Sequence, residues 1–198
     1  MSGHLDVRSF VLSNCQKYND GMKMPERVMT ERLILRMPGM DDSPAIFEGW
    51  AQDPEVTRYL TWRPHERIEQ TQEFVQGCIR AWEGQSRFPY VITLKENGKV
   101  IGMIDPRIEG SIVGIGYGAA RAHWGKGYVP EATRAIIDWA FQQPPIFRVY
   151  ATTDVENIAS RRVLEKVGMQ CEGILRKYIL HPNISDVPRD SYMYASTK

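Results

Sequence analysis

The stretch His123-Trp-Gly-Lys-Gly-Tyr-Val-Pro-Glu-Ala132 decides how this chain is read. It follows a strand-like run, Ile112 to Tyr117, and precedes a helix-like run, Pro130 to Phe141. Two glycines at such a junction let backbone N–H groups approach a ligand closely. The helix start adds unpaired donors and a partial positive charge. Amides converging there favour an anion, most often a phosphate or pyrophosphate. A tight strand-to-helix turn without a ligand also fits a lone Gly-x-Gly. Two familiar phosphate loops do not fit. A P-loop requires Ser or Thr after its lysine, whereas Gly127 follows Lys126. A dinucleotide fingerprint requires a third glycine and a later acid. Tyr128 to Pro130 supplies no glycine, and Pro144-Pro145 stands near the acid's place.

A second segment lies downstream, Asn157-Ile-Ala-Ser-Arg-Arg-Val-Leu-Glu-Lys-Val-Gly-Met169. In this order the two segments resemble the GNAT superfamily of acetyl-CoA-dependent N-acetyltransferases. The nearest resemblance is to the branch that acetylates N-termini of ribosomal proteins (RimJ/RimL type). It begins near Thr30, runs through Thr30-Glu-Arg-Leu-Ile-Leu-Arg36, and ends near Tyr194. The resemblance implies an α+β fold: a mixed, mostly antiparallel sheet flanked by helices, with splayed central strands that bind acetyl-CoA. Residues 29–198 form the acetyltransferase domain on this reading. Residues 1–28 are an N-terminal extension without a counterpart, or an upstream start with Met22 or Met24 as the usual beginning.

The first segment then corresponds to the family's pyrophosphate loop, with the backbone of Trp124, Gly125, Lys126, Gly127 and Tyr128 as the cradle. Ala122 stands where the family carries Gln or Arg, with Arg121 one residue earlier. The strand before the loop would offer backbone groups at Tyr117, Gly118 and Ala119 to the pantetheine arm. Many relatives protonate the leaving thiolate with a tyrosine, whose position here is Leu164. The ribosomal-protein branch has a serine instead, and Ser160 stands there as the catalytic candidate. Ser160 shares a helix face with Leu164 and Val167, which turns its hydroxyl inward. The alternative is that it back-bonds to a carbonyl of its own helix. Asn157 reads as a cofactor contact or a helix cap.

No general base declares itself. Glu172 reads as structural, and Glu131 as a partner of its helix dipole. His181 and Asp186 lie in a loop placed to close over the acceptor. Trp62, with Tyr59, is the other candidate for lining the substrate groove. An α-amine of pKa 7.7–8.0 is roughly one-tenth neutral at pH 7, against about 0.04% for a lysine. A weak base therefore suits an N-terminal amine better than a lysine. The expected reaction is direct transfer from acetyl-CoA, as cosubstrate, to the N-terminal α-amine of a ribosomal or other protein. A small-molecule amine is the rival acceptor. A non-catalytic acyl-CoA-binding module is the rival outside enzymes.

Composition sets the outer limits. With 198 residues, 42% hydrophobic and 25% charged, the chain is long enough for one domain with a substantial core. Its 25 basic and 24 acidic residues give a formal charge of +1, which makes no case for nucleic acid or an acidic membrane. No apolar run reaches the roughly 18 residues of a membrane span. Cys15, Cys78 and Cys171 are scattered and read as reduced thiols of the cytoplasm. His4, His65, His123 and His181 lack ligand spacing, so no metal is expected. The resemblance also admits a homodimer.

Periodicity places the elements. Strands are expected at Arg32 to Met37, Pro89 to Leu94, Val100 to Asp105, Ile112 to Gly118, Phe147 to Thr153, Met169 to Ile179 and Ser191 to Ala195. Helices are expected from Asp41 to Ala51, Ile68 to Trp82, Pro130 to Phe141 and Asn157 to Val167. Asn97-Gly98 marks a hairpin. Ala132, Ile136, Trp139 and Ala140 form the apolar face of the helix after the glycine loop.

Overall fold

Residues 23–85 and 87–198 are described by the computed structural model. Eight strands form one sheet in the order β1-β2-β3-β4-β5-β6-β8-β7. They are β1 Arg27–Met29, β2 Leu33–Arg36, β3 Tyr90–Leu94, β4 Val100–Glu109, β5 Ile112–Ala119, β6 Arg148–Asp154, β7 Gln170–Ile179 and β8 Arg189–Thr197. Every pairing is antiparallel except β5 with β6. The helices are α1 Ser43–Ile46, α2 Pro54–Thr57, α3 Ile68–Glu83, α4 Tyr128–Gln142 and α5 Ile158–Lys166. A 3-10 turn, Met40–Asp42, leads into α1, and a π turn, Phe47–Ala51, follows it.

Both faces of the sheet are covered, and neighbouring side chains divide between them. Tyr90, Ile92 and Ile104 join the core under α4 and α5, with Val113, Ile115, Ile136, Val149 and Leu164. Val91 and Met103 belong to a second core with Ile46, Trp50, Val75 and Cys78 under α1 and α3. This explains why β3 reads as a continuous apolar run: all five of its residues are buried. Helix α3 buries Thr71, Val75, Cys78 and Trp82, spaced by four, three and four residues along one stripe. Helix α4 buries Ala132, Thr133, Ile136, Ile137 and Ala140. Ile137 thus takes the place expected of Trp139, which is only half-buried. Each such isoleucine contributes about 1.5–3 kcal/mol of burial.

The expected α+β mixed sheet is present, with two differences at its start. β1 was not foreseen, because three residues carry no period. It pairs Val28 with Leu35 at the sheet edge. The boundary drawn at residue 28 falls inside this strand. Met24 is buried in the first core, and the Tyr90 hydroxyl donates to the Pro25 carbonyl. The packed chain therefore begins before Met29. The alternative start at Met22 lies outside the described residues. The expected helix Asp41 to Ala51 is three short turns of different pitch rather than one α-helix.

Candidate active site

The parallel strands β5 and β6 pair only at Ile112↔Arg148, Val113↔Val149 and Gly114↔Tyr150. Beyond Gly114 they part, so Ile115–Ala119, still paired with β4 on one side, faces a gap on its β6 side. Gly114 sits at the last rung with the Tyr150 ring upon it. A Cβ there would meet that ring at 3.0 Å, so a larger residue would force the strands apart earlier.

The direction of the free backbone groups follows from one hydrogen bond. The Ala120 N–H donates to the Ile101 carbonyl at 2.9 Å, toward β4. The C=O of the same trans peptide belongs to Ala119 and points the opposite way, into the gap. The Trp124 indole N–H donates to it at 2.7 Å. Strand alternation turns Tyr117 the same way as Ala119 and turns Gly118 toward β4. Gly118, expected to pair with a cofactor arm, therefore presents its backbone to the sheet instead.

At the C-terminal end of β5 the glycine loop turns into α4. Gly125 (φ 74°) and Gly127 (φ 81°) both occupy the left-handed region, where a side chain is strained. The cleft beside them, about 480 Å³, is lined by four basic side chains, Arg32, Lys126, Arg134 and Lys166, against one acid, Glu131. Glu131 is fully engaged. It accepts from Thr30 Oγ1 (2.6 Å), from the Arg32 N–H (2.8 Å) and from Arg32 Nε (2.7 Å). Burial alone would raise its carboxyl, but the Thr30 and Arg32 bonds hold it below the usual range. Arg32 also donates to the Lys126 carbonyl (3.0 Å), and its guanidinium lies 4.6 Å from the Tyr128 ring centre. Glu131 is thus the anchor that fastens the chain before β2 to the loop, beyond its place near a helix N-terminus.

Asn157 caps α5, its Oδ1 accepting from the Ser160 N–H at 3.1 Å. Ser160, one turn in, brings its hydroxyl to 2.9 Å from the Tyr117 phenol oxygen. Tyr117 also donates to the Ser160 carbonyl at 3.2 Å. Leu164 and Val167, on the same helix face, are buried. The Ser160 hydroxyl points inward as expected, onto β5. Burial pushes the Tyr117 phenol well above its ordinary pKa, with the Ser160 bond opposing, so it stays protonated at neutral pH. The sequence singles out Tyr117 only for its backbone. The available signal was alternation: Val113, Ile115 and Tyr117 share the face that packs on α4 and α5.

The opposite face of β6 carries Tyr150, Thr152 and Asp154, alternating with the core residues Val149 and Ala151. The Asp154 carboxylate is fully buried and takes two bonds from Arg189, at 2.6 and 3.1 Å, and one from the Glu156 N–H at 2.9 Å. His181 is buried beside it, with Nε2 3.9 Å from Asp154 Oδ2 and the ring edge-on to Tyr59. Asn183 donates to the carbonyls of Thr57 (2.7 Å) and Trp62 (2.8 Å), fastening the loop between β7 and β8 onto residues 57–62. Of Trp62 and His181, both expected to line a substrate groove, the first is tied to this loop only through its backbone carbonyl. The Trp62 ring, however, stacks on His65 and Phe74 within the second core.

The acetyltransferase (GNAT) domain family matches residues 32–170. The chain belongs to that family. This acetyltransferase is 36% identical over 159 residues to the uncharacterized N-acetyltransferase p20 of Bacillus licheniformis, covering 77% of this chain and 87% of that protein. A crystal structure of a GNAT-family acetyltransferase from Bacillus anthracis superposes with a TM-score of 0.75 at 28% identity, covering 86% of this chain and 98% of that one. The same fold occurs in RimL, a ribosomal L7/L12 α-N-protein acetyltransferase solved with coenzyme A, with a TM-score of 0.75, 22% identity and coverage of 87% and 98%.

Two further features bear on the enzyme's chemistry. Burial raises the Cys78 thiol to about 12, which keeps it a thiol at neutral pH, and Cys171 is exposed on the edge strand β7. Cys15 lies outside the described residues. Among the described residues no cluster of His, Cys, Asp or Glu is arranged to hold a metal, and no helix is long and apolar enough to cross a membrane.

Proposed function

We propose that this N-acetyltransferase moves the acetyl group of acetyl-CoA directly onto the N-terminal α-amine of a protein, ribosomal or other. The observation that carries the proposal is the gap beyond Gly114, with the Tyr117–Ser160 hydroxyl pair on one of its faces. Acetyl-CoA fits the residues present. Trp124 to Tyr128 supply amides at a helix start, two left-handed glycines leave the phosphate side unobstructed, and Lys126 adds charge. The backbone groups of Tyr117 and Ala119 suit the amides of the pantetheine arm. The Trp124 indole N–H on Ala119 occupies the acceptor that a pantetheine N–H would use.

Transfer to an amine requires that the departing sulfur gain a proton. Ser160, with Tyr117 behind it, is placed to give one. Asn157 holds the first turn of α5 in position as its cap. The protonated phenol keeps the pair a donor at neutral pH, and a hydroxyl that bonds a developing thiolate acts in the transition state alone. No acyl-enzyme is invoked: of the described cysteines, Cys78 is buried in the second core and Cys171 lies on the edge strand β7, away from β5. The α-amine is favoured over lysine by its larger neutral fraction at pH 7. The acceptor class named for RimL is further support. The unpaired thiols of Cys78 and Cys171 agree with a cytoplasmic enzyme. Thiol release from acetyl-CoA in the presence of short peptides with free or blocked N-termini tests the proposal.

A further inference from the structure

We propose that His181, oriented by Asp154, is the general base that takes the proton from the acceptor nitrogen. This rests on the transferase reading above and names a residue for the one role the sequence left vacant. The two glutamates near the expected pattern are already engaged. Glu131 is bound by Thr30 and Arg32, and Glu172 is paired with Arg148. His181 is different: only 4% of it is exposed, and neither ring nitrogen has a hydrogen-bond partner. A buried imidazole left unsatisfied on both sides calls for a functional reason.

Three relationships supply one. Nε2 lies 3.9 Å from Asp154 Oδ2, so a shift of about 1 Å would make a hydrogen bond, and such bonds tighten when substrate arrives. That bond would fix Nε2 as the protonated nitrogen and leave Nδ1 basic. Asp154 can accept it. Burial alone would raise this carboxyl, but Arg189 and the Glu156 N–H hold it below the usual range and ionised. Finally, Asp154 projects from the face of β6 opposite to the one that packs against α5, whereas Tyr117 and Ser160 lie on the α5 face. A thioester in the gap would meet the base on one face of the sheet and the sulfur's proton donor on the other. The charged and titratable groups around the imidazole are Asp154 on β6, Arg189 on β8 with Glu156 paired to it, and Tyr59 with Arg58 over its ring.

The proton balance closes. As the nitrogen attacks, the N–C bond forms and the C–S bond breaks. One N–H proton passes to Nδ1 of His181, and the sulfur takes a proton from Ser160. The hydroxyl pair is reprotonated through solvent as the imidazolium releases its proton.

The test follows kcat/KM against pH with trialanine and with trifluoroethylamine, an amine of lower pKa, in wild type and His181→Gln. In wild type the trifluoroethylamine profile should rise with an enzyme group at a higher pH than the free amine's own titration, whereas the trialanine profile adds the α-amine at about 7.7–8.0. In His181→Gln the rate near neutrality should drop about 10²–10⁴-fold, the limb should move with the amine, and acetyl-CoA affinity by calorimetry should be unchanged. Wild-type rates in a folded His181→Gln protein would overturn the assignment. A wild-type trifluoroethylamine limb that coincides with the free amine's own titration would also overturn it, and that comparison decides the matter if the variant does not fold. Failure of the wild-type protein to bind acetyl-CoA would instead overturn the transferase reading beneath it.

Discussion

The phenol oxygen of Tyr117 lies 2.9 Å from the hydroxyl of Ser160, joining β5 to the first turn of α5 across the opened sheet. If the pair protonates the leaving sulfur, its removal lowers turnover and spares ground-state binding. Ser160→Ala should lower kcat by at least about tenfold, with acetyl-CoA affinity nearly unchanged. Tyr117→Phe should lower it less, and the double variant should cost less than the sum of the two, because they act as one unit. Steady-state kinetics with calorimetry checks this; additive losses would separate the two hydroxyls.

Gly127 is the loop position where a side chain is least tolerable. Its φ is 81°, and a Cβ would stand 3.4 Å from the Arg32 guanidinium, on the cleft side of the loop. Gly127→Ala should weaken acetyl-CoA binding by at least about tenfold, partly through the roughly 1–2 kcal/mol left-handed penalty. Calorimetry on the folded variant measures it, and unchanged affinity would remove the loop from the binding site.

Much of this site is legible in the sequence. The glycine loop, the Asn157–Ser160 spacing and the alternating strands carry their geometry locally, so residue order alone places the loop at a helix start and Ser160 inward. What the sequence could not give depends on contacts between distant segments. Glu131 meets Thr30 across 101 positions, and Asn183 meets Thr57 across 126. Neither leaves a period to read. Gly118 was misassigned because which strand residues face a gap depends on register, and register follows from pairing rather than composition.

Met24 illustrates the same limit at the other end of the chain. No apolar pattern precedes Met29, yet Met24 is buried in the first core. Met24→Ala should destabilise the domain by about 2–5 kcal/mol. Urea unfolding checks this; a change within error would return the segment to the surface.

Asp42, Glu131 and Asp154 are all held below the ordinary carboxylate range. A depressed folded pKa means stability that is fully present above the unfolded value of about 4 and is lost as pH falls through the folded one. Urea midpoints should therefore drop below about pH 4, after a shallower decline that begins below about pH 6.5, where His65 and His123, held below the ordinary imidazole value chiefly by burial, resist protonation. Arg189→Met, which strands the buried Asp154 charge, should cost about 3–5 kcal/mol at pH 7 and progressively less in acid as Asp154 protonates. A loss that does not shrink in acid would show that Arg189 acts by packing.

The central claim is direct acetyl transfer to an α-amine, and one measurement bears on it most closely. Acetyl-CoA is incubated with the protein and two versions of one lysine-containing peptide, one with a free N-terminus and one with it blocked, and thiol release is followed alongside peptide mass. Thiol should appear in step with a single acetyl on the free N-terminus, with little on the blocked peptide and no acetyl left on the protein. Equal acetylation of the lysine in both peptides, or acetyl accumulating on the protein when peptide is withheld, would contradict the account.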